Sequence, residues 1–89
     1  MTKDPFQNSV DSPMAPAEYC FAIAPDDSVD LPHATKALYI GEAGDVVLVA
    51  VRGTNPVTFA NLAAGTILDV RARAVRASGT TAGNIVGLA

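Results

Sequence analysis

The sequence has no tryptophan, one cysteine and one histidine, and each scarcity removes a class of protein. A single thiol, Cys20, excludes the internal disulfide with which small secreted domains compensate for thin cores. Folding in a reducing cytoplasm is therefore expected. One histidine cannot build a zinc site of the usual Cys/His spacing. Cys20 and His33 are separated by a run of loop-forming residues and carry no signature of a nucleophile with its base, so a half-buried Cys20 and a surface His33 are expected. Neither an enzyme nor a cofactor is expected. Long apolar runs are missing too. The longest, residues 46–51, is far short of the roughly 20 residues needed to span a bilayer. The opening "MTKDPFQNSVDSPMAP" lacks a basic segment followed by an apolar one, so neither export by such a signal nor membrane insertion is expected.

Charge of one sign is scarce in each part of the chain. Residues 1–31 carry six acids against Lys3, and residues 32–89 carry five bases against Glu42, Asp45 and Asp69. The two parts are thus oppositely charged, which suggests that the acidic part lies on a basic face of its own body or of a neighbouring subunit, with solvated charges as the plain alternative. The organisation expected is an extended acidic arm over 1–31 and a folded body over 32–89. Three prolines among the first sixteen residues, with Asn, Ser and Asp between them, argue against a helix there.

What is present is β patterning. Residues 17–24, "AEYCFAIA", fit a short strand that stops at the loop "PDDSVDLP". Residues 35–41 place Leu38, Tyr39 and Ile40 before a glycine, and "DVVLVAVRG" is a β-branched run suited to a strand buried on both faces. Between them "GEAGD" has the look of a phosphate-binding glycine loop. It leads into a strand rather than a helix and bears Glu42 and Asp45, so it reads as a turn. "PVTFANL" alternates after the turn "GTNP". Residues 65–79, "GTILDVRARAVRASG", alternate over so many positions that one long strand is expected. "NIVGLA" supplies a last strand. The fold expected is all-β, an antiparallel meander closing into a small sandwich or barrel.

Polar clusters give weak site signals. Asp26, Asp27 and Asp30 superficially resemble a calcium loop without its glycine turn or distal glutamate. Arg71, Arg73 and Arg76 lack interleaved aromatics in an acidic protein, which argues against nucleic acid and for inter-subunit polar contacts, or for ordinary solvated arginines. Phe6, Tyr19 and Phe21 are the candidates for anchoring the arm to a partner or to a neighbouring subunit. Tyr39 beside Glu42 is the one candidate for a carbohydrate contact. A chain of 89 residues buries only about 60–65% of its unfolded surface, so self-association is a natural source of extra stability.

Taken as strings, "DLPHATKALYIGEAGDVV", "VTF", "AGT" and "GTTA" (from Asp30 to Ala82) resemble the head spike base proteins of tailed bacteriophages and alphaproteobacterial gene transfer agents. The resemblance covers about two-thirds of the chain, and Asp69 stands where that family often has proline. It implies a structural virion protein on the capsid surface, at the vertices, forming the base of a head spike or fibre. The implied partners are further copies of itself, as a homo-oligomer with a pentamer among the options, the major capsid protein and a spike or fibre protein. A capsid decoration (cement) protein and a host-surface carbohydrate-binding module remain as alternatives.

Overall fold

A computed structural model describes residues 16–89. Seven strands form: β1 (Cys20–Ala22), β2 (Ala37–Glu42), β3 (Gly44–Ala50), β4 (Val57–Leu62), β5 (Thr66–Leu68), β6 (Ala72–Arg76) and β7 (Gly83–Leu88). They make two antiparallel sheets, one ordered β1-β7-β2-β5 and the other β4-β3-β6. The inner faces meet in one core. Leu38, Ile40, Leu68 and Ile85 come from the four-stranded sheet, and Val46, Leu48, Ala72 and Val75 from the three-stranded one. Of the small all-β antiparallel sandwich or barrel expected from the sequence, the sandwich is what forms.

The path through it is not a meander. Only β3 and β4 are both consecutive and paired; from β4 onward each new strand lies in the opposite sheet to the one before it. The "GEAGD" segment is accordingly a corner between sheets, in which Ala43 alone separates β2 from β3. Close packing fixes it. A methyl group at Gly44 would lie 2.8 Å from Ala82 Cα and from the Thr81 carbonyl carbon. The neighbouring loop also supplies bonds: the Asp45 N–H donates to Thr81 Oγ1 at 2.9 Å, the Val47 N–H to Thr80 Oγ1 at 2.9 Å, and the N–H groups of Thr81 and Ala82 both donate to the Asp45 carbonyl.

The long strand expected over 65–79 breaks at residues 69–71. The Val70 N–H turns back to the Leu68 carbonyl at 2.9 Å, and the chain passes from β5 in one sheet to β6 in the other. Alternation survives the break because Leu68 and Ala72 both enter the core. A second irregularity follows. Val49 pairs with Ala74 but Ala50 pairs with Ala72, so Arg73 is an extra residue in β6. Ala72 and Val75, three positions apart, consequently both enter the core, while buried Ala74 faces the other side of the sheet.

Residues 16–35 contribute to both sheets rather than trailing from the body. β1 pairs with β7, and the Ile23 N–H continues that ladder to the Ile85 carbonyl at 2.9 Å. The chain then crosses to the other sheet and runs along β6. The N–H groups of Asp26, Leu31 and Thr35 donate to the carbonyls of Val75, Arg73 and Ala72 at 2.9, 2.8 and 3.0 Å. This irregular strip covers an edge that would otherwise be open to another chain.

Thr35 anchors the strip. It is completely buried, and its hydroxyl accepts from the Ala72 N–H at 3.2 Å while facing the Val70 carbonyl at 3.4 Å. Replacing it by valine keeps the shape and leaves a buried N–H without a partner. Thr35→Val is expected to lower the unfolding free energy by about 1–3 kcal/mol in urea denaturation. Gly44→Ala is expected to cost about 1–3 kcal/mol in the same measurement, because the facing atoms are backbone and cannot swing aside.

Candidate functional site

The arginines and acids singled out in the sequence meet along β6. Arg73 donates through Nη1 to both Asp30 carboxylate oxygens, at 3.0 and 3.2 Å, and through Nη2 to the Gly53 carbonyl at 3.3 Å. Its extra position in the strand carries this bridge across the outer side of the three-stranded sheet. There Val47, Val49 and Ala74 are buried although none belongs to the central core. Arg76 donates to the Asp27 carbonyl oxygen at 2.9 Å. The charge split between the two parts of the chain is thus used within one molecule at Asp30–Arg73. Arg71 differs. It is exposed, and no carboxylate pairs with it among the described residues.

Each of the three clustered aspartates has its own task. Asp26 Oδ1 accepts from the N–H groups of Ser28 and Val29, shaping the loop as an Asx turn. Asp27 Oδ1 accepts from the Ser78 N–H at 2.9 Å and Oδ2 from the Ser78 hydroxyl at 2.7 Å. Asp30 takes Arg73. No group of three metal-binding side chains converges among the described residues.

The aromatic candidates divide. Phe6 lies outside the described residues. Tyr19, Phe21 and His33 form a small stack, with Tyr19 4.8 Å from the His33 ring and 5.6 Å from Phe21. Phe21 packs on the core, where its ring fills the space a side chain at Gly87 would need, so it is occupied by its own fold. Tyr19 remains exposed. Cys20, expected to be half-buried, is exposed, because β1 turns Phe21 inward and alternate residues face the other way.

One feature escaped the sequence reading. The registers place Ala22 beside Val86, Val86 beside Tyr39, and Tyr39 beside Ile67, an apolar row that crosses all four strands on the outward side of the larger sheet. A second row joins Cys20, Leu88 and Ala37. Neither row holds a charge. Tyr39 is 38% and Ile67 55% exposed. The signal lay in "TIL" and "NIV", where residues on both sides of the pleat are apolar; only the register shows that they adjoin. Glu42 is not part of this surface, since its carboxylate lies beside Gly83. Tyr39 therefore has apolar neighbours rather than the acid that a carbohydrate contact would use.

The Ser78 N–H, followed by the Ser78 hydroxyl, the Ala77 N–H and the nearby Arg76 charge, holds the Asp27 carboxyl below its ordinary value of 3.8. A carboxyl held low in the folded chain contributes stability that is present above its unfolded value and is lost as pH falls through the folded one. Thermal midpoints of the wild type should accordingly fall below about pH 4 more steeply than those of Asp27→Asn, and the two should run parallel above pH 5. Equal slopes on the acid side would show that Asp27 does not couple to folding.

No protein-family model matches the chain, and no curated protein matches it. Among solved structures it is similar to a chain of one described as "Capsid of native GTA particle computed with C5 symmetry". The identity is 38%, the match covers 98% of this chain and 100% of that one, and the TM-score is 0.80. This chain belongs to the family of that gene transfer agent capsid chain and is a structural, capsid-related protein.

Proposed function

We propose that this protein is a non-enzymatic component of a virion or virion-like particle that sits on the capsid surface and forms the base of a head spike or fibre at the capsid vertices. The observation that carries the reading is the full-length similarity to a chain within a gene transfer agent capsid computed with C5 symmetry. The strings that resemble head spike base proteins support the finer assignment. In this structure those strings are fold determinants: Ala37 to Val46 form β2 and the corner, and Thr80 and Thr81 bond that corner in place.

A base that carries a fibre needs a rigid body, a face toward the shell and contacts among its copies. Residues 20–35 and the corner both tie one sheet to the other, as such a body requires. Its partners in this role are the major capsid protein, further copies of itself and the mounted spike or fibre. Such a protein is made in the bacterial cytoplasm and ends on the particle.

The test is cryo-EM of particles from a producing strain with and without the gene. Density confined to the fivefold vertices should vanish in the deletion, together with the projecting fibre. Loss of density across the whole shell would identify a cement protein instead, and unchanged particles would refute a capsid role.

A further inference from the structure

We infer that the outward face of the four-stranded sheet is the surface by which one copy of this chain docks on another, and that its counterpart is the Val51, Arg52 and Arg71 patch of the neighbouring copy. This deepens the assembly role proposed above and rests on it. The two sheets treat their outer faces differently. Over the three-stranded sheet the protein lays its own chain: Gly79 closes on Val47, and Arg73 bridges Asp30 to the Gly53 carbonyl, leaving Val49 and Ala74 fully buried. Over the four-stranded sheet none of the described residues is laid, and among them the row Ala22, Val86, Tyr39 and Ile67 stays open. A continuous uncharged row across a whole sheet, with an aromatic residue at its centre, has the composition of an interface core.

Charge at the borders identifies the occupant. The face is bounded at one end by two exposed acids, Glu18 ahead of β1 and Asp69 after β5, with the half-buried Lys36 ahead of β2 between them, so that this border is acidic on balance. Neither makes an ion pair among the described residues. Where β3 leaves the other sheet, a groove lined by Ala50, Val51, Arg52, Val70 and Arg71 offers the converse. Val51 is 42% exposed, and both arginines lack a carboxylate among the described residues. An apolar surface edged by two acids and an apolar groove edged by two bases are complementary, and one chain carries both. Because the patches differ, the contact is head-to-tail, and a head-to-tail contact repeats from copy to copy until rotation closes a ring. The pairing of acid with base fixes the register and steers the encounter, while the apolar rows supply the buried area.

The experiment is sedimentation of the purified full chain over a concentration series at physiological salt. The wild type should associate into one species of defined size. Ile67→Glu, at an exposed position, should weaken association at least tenfold while leaving the thermal midpoint and circular dichroism unchanged. Glu18→Lys with Asp69→Lys, and separately Arg52→Glu with Arg71→Glu, should each weaken it. The four substitutions together should restore it, a recovery that misfolding cannot produce. A wild type that stays monomeric, an Ile67→Glu variant that associates normally, or a fourfold variant no better than the pairs would each overturn the inference. Incorporation into particles is scored separately. Association through this face by a protein absent from particles would support the face and refute the capsid reading.

Discussion

Three backbone hydrogen bonds along the outer edge of β6 hold this sandwich closed. A seven-stranded pair of sheets has four edges, and each edge exposes carbonyl and N–H groups that must find partners. On one side the problem is solved by brevity and distortion. β5 has three residues, and β4 carries a bulge at Asn61, whose left-handed backbone is fixed by a bond from its N–H to Asp45 Oδ1. On the other side the chain itself is the solution. Residues 20–23 extend one sheet, and residues 26–35 line the edge of the other, so a single segment spans both layers. Remove that segment and β6 has open acceptors, Val49 and Ala74 lose their polar cover, and the core loses Ile23 and Leu31.

The acids and arginines are better understood as the fittings of that closure than as a site. Each of Asp26, Asp27 and Asp30 shapes or fastens the strip at a different point, and Arg73 and Arg76 receive it. Exposed pairs of this kind contribute little individually. Their value is positional: they hold the strip where its N–H groups meet β6. The corner at Gly44 works the same way, with two threonine hydroxyls and one main-chain carbonyl taking the bonds that a sheet switch would leave unmet. A string of residues can thus identify a family while containing no reactive group, because what it encodes is a turn that only a few side chains can complete.

Much of the fold was legible. Alternation marks β4 because a pleat turns successive side chains to opposite faces, and β-formers mark β2, the β-branched run β3 and the apolar ending β7. The partition into sheets was not, since a period of two is the same whichever strand lies alongside. Residues 65–79 show why: Leu68 and Ala72 keep their parity across a break that sends them to different sheets, so the pattern reads as one strand. The charge split pointed to the acidic loop lying on a basic face, with solvated charges as the alternative, but not to its path, because its structural contribution is made through main-chain N–H groups, which composition does not reveal. The outer apolar row was hidden for a related reason. Tyr39, Ile67 and Val86 lie far apart in the chain, and register alone makes them neighbours.

That the strip closes β6 through its backbone has an evolutionary consequence. A main-chain N–H is the same in almost every residue, so an edge covered this way constrains the path of the chain far more tightly than its side chains. Only the fixed points need particular residues: Thr35 with its buried hydroxyl, the aspartates that shape and fasten the loop, and an apolar side chain such as Ile23 or Leu31 wherever the path dips into the core. Between those points the sequence is free to drift while the geometry persists. A segment can therefore look variable in composition and still be integral to the fold.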